Sequence, residues 1–176
     1  MSEIQTLGEL GKVHLAAECY VIKDGKVLMF KKSDTASRFP GWWIGPGGRI
    51  NHDEDALLGA VREIEEEAGI KVDLGDIKLK AVAFHHHLDR GEVWVSFVFL
   101  ATIPEDQIES EEDIEGAGKS KWIPLTELMT MDKVFPPSKY YFDHVLNDKP
   151  GIMYTNIQWE KAELVKVLSQ QVDTNG

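Results

Sequence analysis

Cysteine is almost absent from the 176 residues: Cys19 stands alone, so no intrachain disulfide can hold the fold and a reducing compartment is expected. Long hydrophobic runs are missing too. No stretch of about 18 consecutive apolar residues occurs, and Met1 to Val13 carries charges where a signal peptide needs an apolar run. A cytoplasmic protein with no membrane partner is the expectation. A basic excess is also lacking, since 19 Lys and Arg face 30 Asp and Glu for a formal charge of −11. That balance argues against a nucleic-acid polymer as partner, because binding one calls for a basic footprint. No Pro/Ser-rich linker, repeat or low-complexity tract divides the chain, so one domain over residues 1–176 is expected.

What is there in abundance is acid, concentrated on one short segment. Leu57, Val61, Ile64 and Ala68 recur at spacings of four, three and four, the period of a helix with one apolar stripe. Glu63, Glu66 and Glu67 then fall together on another side of that helix, where neighbouring like charges cost a few tenths of a kcal/mol per pair. Glutamates in the last turns also oppose the negative end of the helix dipole. A divalent cation would turn this repulsion into a set of hard oxygen ligands; a solvated acidic face is the plainer alternative. Asp53, or His52 beside it, is the expected cap, and Gly69 the expected left-handed exit.

Gly48 to Ile70, GRINHDEDALLGAVREIEEEAGI, resembles the signature of the Nudix hydrolases at every specified position: Gly, five residues, Glu, seven residues, Arg-Glu-apolar, one residue, Glu-Glu, one residue, Gly-apolar. The resemblance implies an α/β fold, an α/β/α sandwich with a mixed central sheet and a loop-helix-loop catalytic motif. It also implies bound Mg²⁺ or Mn²⁺ and hydrolysis of a diphosphate linked to another group. By position, Glu63, Glu66 and Glu67 look like the metal-binding carboxylates, with the Gly48 carbonyl a further ligand. Arg62 resembles the arginine that orients these acids, and Glu54 the supporting outer glutamate. A looser likeness to MutT-type members implies one more metal-proximal acid from the loop before Trp122, for which Glu112 and Glu115 are candidates. The proton of the attacking water would go to one of the helix acids or to Glu115.

Elsewhere the chain reads mainly as strands. Val13 to Ile22 and Val27 to Lys32 flank Asp24-Gly25, a hairpin turn signal. Lys78 to His87 and Glu92 to Ala101 flank Asp89-Arg90-Gly91, and the second of these is apolar on both faces, as a central strand should be. His85, His86 and His87 alternate across their strand, so they cannot form one metal cluster; structural or surface roles are the plain reading. With His85 and His87 facing a pocket, a base or ribose contact follows. Lys31, Lys32 and Arg38 lie near enough to the motif to meet phosphate, and Arg49, next to Gly48, is the stronger candidate. Trp43 either packs against the catalytic helix or contacts a base. Phe135 and Tyr140 either wall the base or pack in the core. Pro124 opens a short helix with Thr126 a candidate cap, and Trp159 to Val172 shows the spacing of an amphipathic helix that packs on the sheet or mediates a dimer.

Two departures from the MutT-type pattern bear on substrate. Pro137 and Ser138 stand where an aspartate pair is found in that subfamily, and Ile44 stands where an asparagine follows the tryptophan. An oxidised purine could not be read by the same hydrogen bonds. The expected reaction is hydrolysis of a small nucleoside triphosphate, an oxidised purine deoxynucleotide among the candidates, to nucleoside monophosphate and pyrophosphate. Rivals are ADP-ribose, a dinucleoside polyphosphate or a nucleotide sugar as substrate, and a nucleotide-sensing module without catalysis. Either a monomer or a homodimer is compatible.

Overall fold

The computed structural model describes residues 11–103, 113–114, 118–161 and 163–174. Asp24 and Gly25 both take positive φ, 48° and 71°, which folds β1 (Lys12–Lys23) back into β2 (Lys26–Lys32). These two strands pair only beside the turn, at Ile22 with Val27 and Lys23 with Lys26. Beyond that point they diverge, and β3 (Trp43–Ile44) and β4 (Gly47–Arg49) occupy the wedge. β3 pairs with β2 through Phe30 and Lys31, and β4 pairs with β1 through Ala16, Ala17 and Glu18. The split in the sheet thereby places Gly47 and Gly48 against the middle of β1.

α1 (Ala56–Ala68) follows. Its apolar stripe meets one sheet face, where Ala60, Ile64 and Ala68 pack with Ala17, Cys19, Val21 and Phe99, and Leu57 and Val61 lie partly buried at the edge of the cluster. Ile64 is fully buried, a burial that stabilises by roughly 1.5–3 kcal/mol. Gly69 closes the helix at φ 66°, as expected. The cap differs: Asp55, not Asp53 or His52, accepts from the Leu57 and Leu58 amides, both at 2.9 Å. The Asp at the helix boundary itself is placed to reach those amides.

β5 (Ile77–His87) and β6 (Glu92–Thr102) form the long hairpin, with the connection running from Leu88 to Gly91. β6 is central, antiparallel to β5 and parallel to β1 over eleven residue pairs from Lys12–Glu92 to Ile22–Thr102. β7 (Asp113–Ile114) pairs with β8 (Gly118–Pro124), which covers the outer edge of β2. α2 (Leu125–Leu128) and α3 (Phe142–Leu146) then cross the second face of the sheet. Leu128, Tyr141, Phe142 and Val145 pack there on Tyr20, Ala81, Ala83 and Val98. The layers are α/β/α, around a mixed sheet of ten strands among the described residues. Thr126 caps nothing; Pro124 occupies the cap position without a side-chain bond.

The end of the chain overturns one expectation. Trp159 to Val172 is not a helix: it spans the end of β9 (Ile152–Glu160) and nearly all of β10 (Glu163–Asp173), which turn back on each other at Lys161, φ 50°. β9 adds in parallel to the open edge of β5, from Ala81–Met153 to His87–Trp159. Backbone groups on that edge need partners, and Val165, Val167 and Val172 suit a pleated strand better than a helix. Tertiary pairing overrides the helical spacing. α2 and α3, rather than a terminal helix, cover the second face.

Candidate active site

Before α1 the chain is clamped by its own acids and one arginine. Glu54 accepts the Asn51 amide at 2.8 Å and receives Arg62 twice, from Nε at 3.0 Å and Nη2 at 2.7 Å. These charged donors hold the Glu54 carboxyl down to about 2. The remaining guanidinium donors reach Glu63 at 2.8 Å, Glu66 at 3.0 Å and the Arg49 carbonyl at 3.1 Å. One planar, permanently charged fork therefore fixes three glutamates and the strand that enters the site.

Gly48 and Glu63 are in close apposition. A Cβ on Gly48 would lie 2.2 Å from Glu63 Oε1 and 2.6 Å from its Cδ, so only glycine lets this carboxylate rest against the backbone of β4. Glu67 accepts the Gly47 amide at 2.9 Å. Burial raises the proton affinity of both acids, with Arg62 opposing it at Glu63 and the Gly47 amide opposing it at Glu67, which still rises to about 8. Among the described residues no three acids, histidines or cysteines already converge on one point, because Arg62 and Gly47 hold the glutamates. The donor set nevertheless fits a hard divalent cation. It offers carboxylate and carbonyl oxygens only, the hard donors such an ion prefers.

Beside this motif lies a cleft of about 220 Å³, open to solvent. Its floor is the sheet face opposite α1: Ala16 and Glu18 from β1, Trp94 and Ser96 from β6, His85 and His87 from β5. Lys32, Ile44, Gly45, Gly47 and Gly48 form one side, and Arg38, Arg49, Phe39 and Phe135 the rest. Arg38 is bonded to Glu92 at 2.6 Å and lies over the Trp94 ring at 5.2 Å; Arg49 lies over the same ring at 5.3 Å. Phe39 and Phe135 meet edge to face at 4.8 Å. Burial lowers the proton affinity of Lys32, partly offset by Glu67. In a chain of net charge −11, three cations thus line one cleft.

Gly48, Arg49, Glu63, Glu67, His85, His87 and Phe135 are brought together around the motif and the cleft, and Glu66 reaches them through Arg62. Trp43 is not: it packs partly buried against the Leu128 and Tyr141 cluster, away from α1 and outside the cleft lining. Its strand presents Ile44 to the cleft instead. Tyr140 also lies outside, edge-on to Trp159 at 5.8 Å. Glu112 and Glu115 fall outside the described residues. Reading the sequence missed Glu18, Phe39 and Trp94. Glu18 accepts from Tyr20 Oη and, at 2.7 Å, from Tyr141 Oη; burial raises its proton affinity, against the pull of these donors. Its only signal was an acid set in the otherwise apolar run LAAECYVI.

The NUDIX domain model matches residues 12–145. Diphosphoinositol polyphosphate phosphohydrolase 3-alpha of Mus musculus is 32% identical over 103 residues, which are 58% of this chain and 60% of that protein. The chain thus spans about three fifths of the curated relatives it matches. A MutT protein from Bacillus halodurans superposes with a TM-score of 0.71 at 26% identity, over 93% of this chain and 99% of that one. The NUDIX domain of NrtR from Shewanella oneidensis, solved with ADP ribose, shares the fold at a TM-score of 0.55 and 22% identity, over 73% of this chain and 82% of that one.

Proposed function

The chain belongs to the NUDIX family, and on that premise we propose that it hydrolyses a nucleoside triphosphate to nucleoside monophosphate and pyrophosphate. The observation that carries the reading is the apposition of Glu63 to a Cβ-less Gly48 at the mouth of a cleft lined by Lys32, Arg38 and Arg49. Glu63, Glu66, Glu67 and the Gly48 carbonyl would hold Mg²⁺ or Mn²⁺, which when bound supplies charge neutralisation at the diphosphate and lowers the pKa of water.

The chain's own residues do the rest. Arg62 holds Glu63 and Glu66 in place, and Glu54 in turn holds Arg62. Lys32, Arg38 and Arg49 orient the phosphates as charge-assisted donors, while Phe39, Ile44 and Phe135 wall the uncharged part of the substrate. A water oxygen attacks phosphorus, the bridging P–O bond breaks, and pyrophosphate leaves. The water's proton passes to a carboxylate of α1. Glu67 is the candidate acceptor, since it is desolvated and burial raises its proton affinity.

Glu66→Gln and Glu67→Gln should each lose most magnesium-dependent turnover while the fold persists, measured as pyrophosphate release across a panel of nucleoside triphosphates. Full activity in both would remove the proposed site. A second reading rests on the names of the curated relatives and on the three cleft cations, which suit a densely phosphorylated ligand. On it the substrate is a diphosphoinositol polyphosphate and the product orthophosphate. The same panel, extended to that substrate, to ADP-ribose and to nucleotide sugars, separates these readings by which phosphate species is released. Absence of turnover on all of them would favour a nucleotide-sensing role.

A further inference from the structure

His85 is 97% buried, at 3% exposure, yet it lines the cleft. Its two ring nitrogens have different fates. Nδ1 lies 3.3 Å from the indole Nε1 of Trp159, and an indole N–H is a donor only. Nδ1 must therefore be the acceptor, so the proton of the neutral ring sits on Nε2. That nitrogen has no hydrogen-bond partner among the described residues. Burial, reinforced by His87 and His86, pushes the imidazole down to about 3, so at neutral pH it is an uncharged N–H donor. A buried donor left unpaired is costly, and native proteins seldom tolerate one without a use for it.

Trp159 comes from β9, beyond residue 145 where the match to the family model ends. It is itself buried and held edge-on by Tyr140. The C-terminal hairpin thus sets the tautomer of a residue in the cleft. The guanidinium heads on the same cleft, of half-buried Arg38 and exposed Arg49, are better suited than a neutral imidazole to take phosphate.

We infer that His85 is a specificity-determining residue: its Nε2–H, locked in place by Trp159, donates to an uncharged acceptor on the nucleoside part of the substrate. The acceptor is either a base carbonyl or ring nitrogen, or a sugar hydroxyl. The inference rests on the proposed nucleotide reading, but its first test does not require turnover. Long-range ¹H–¹⁵N spectra of the full chain should show His85 protonated at Nε2 and bare at Nδ1 across neutral pH. The non-hydrolysable α,β-methylene analogue of GTP or ATP should shift the Nε2 resonance. Trp159→Phe, which keeps an aromatic ring but removes the donor, should yield a mixture of tautomers.

Kinetics identify the acceptor. Inosine and adenosine triphosphates differ in their base acceptors, and ribo and deoxyribo pairs differ in a sugar hydroxyl. His85→Phe should shrink one of these kcat/KM ratios by roughly tenfold, the scale of a lost neutral hydrogen bond, and His85→Gln, which retains an N–H, should restore part of it. An Nδ1-protonated or charged His85 at neutral pH, or both ratios unchanged in His85→Phe, overturns the inference. Should the wild type hydrolyse no nucleotide, the proposed reaction fails separately. His85 is then judged by the methylene analogues, whose failure to shift Nε2 overturns it and whose shift upholds it.

Discussion

Gly48→Ala is the sharpest perturbation of the motif. The added methyl would lie 2.2 Å from Glu63 Oε1, about 1.2 Å inside the 3.4 Å at which ordinary contact begins. Gly48 is not among the glycines with positive φ, so alanine imposes no backbone strain there, and Glu63 is the far end of a flexible side chain that can yield. The carboxylate should therefore move by about an ångström while the fold holds. Misplacement of a working group by about 1 Å costs on the order of a hundredfold in rate, equivalent to about 2.7 kcal/mol of transition-state stabilisation. The assay is kcat/KM as a function of Mg²⁺ concentration, with Tm measured alongside. Gly75→Ala is the control, since nothing lies within 4 Å of its Cβ, and both quantities should stay at wild-type values. A Gly48→Ala variant with wild-type turnover and wild-type Mg²⁺ dependence would show that the Glu63 position seen here has no part in the chemistry.

Two further outcomes follow from the same structure. In chelator-treated protein the Glu67 carboxyl binds its proton more tightly folded than unfolded, at about 8 against a free value near 4.3. The folded state therefore loses stability as pH climbs through that window. The denaturation midpoint should fall between about pH 5 and about pH 8, and Glu67→Gln should flatten that slope; an unchanged slope would mean that the carboxyl is not desolvated. Ile64→Ala empties a fully buried position between α1 and the sheet and should destabilise by about 2–5 kcal/mol in chemical denaturation. Residual activity per folded molecule should be kept, because Ile64 touches the core and not the cleft.

The motif was legible because its information is local. Gly48, Glu54, Arg62, Glu63, Glu66 and Glu67 lie within twenty residues, and helical geometry alone brings the acids of α1 to one side. Asp24-Gly25 and the alternation along β6 were legible for the same reason. The cap was misread by two residues, since Asp53 and Asp55 are equivalent in composition and only the position of the first helical amide separates them. The terminal hairpin was misread because Leu164, Val165 and Leu168 satisfy a helical period, whereas the open edge of β5, from far earlier in the chain, takes up β9 as a strand and β9 in turn pairs with β10.

Residue types and short spacings, then, were enough to determine an acid-bearing helix, its exit and the first two hairpins of the sheet. The cleft was decided only by the packed chain. Glu18, Trp94 and His85 stand on three adjacent strands whose register, Ala16 with Ser96 and His85 with Trp94, no local pattern specifies. Trp43 and Tyr140 were candidates by resemblance and residue type, and the core turned them elsewhere. The physical reason is that a helix carries its own coordinates through bonds four residues apart, whereas a sheet surface exists only after distant strands have chosen their neighbours.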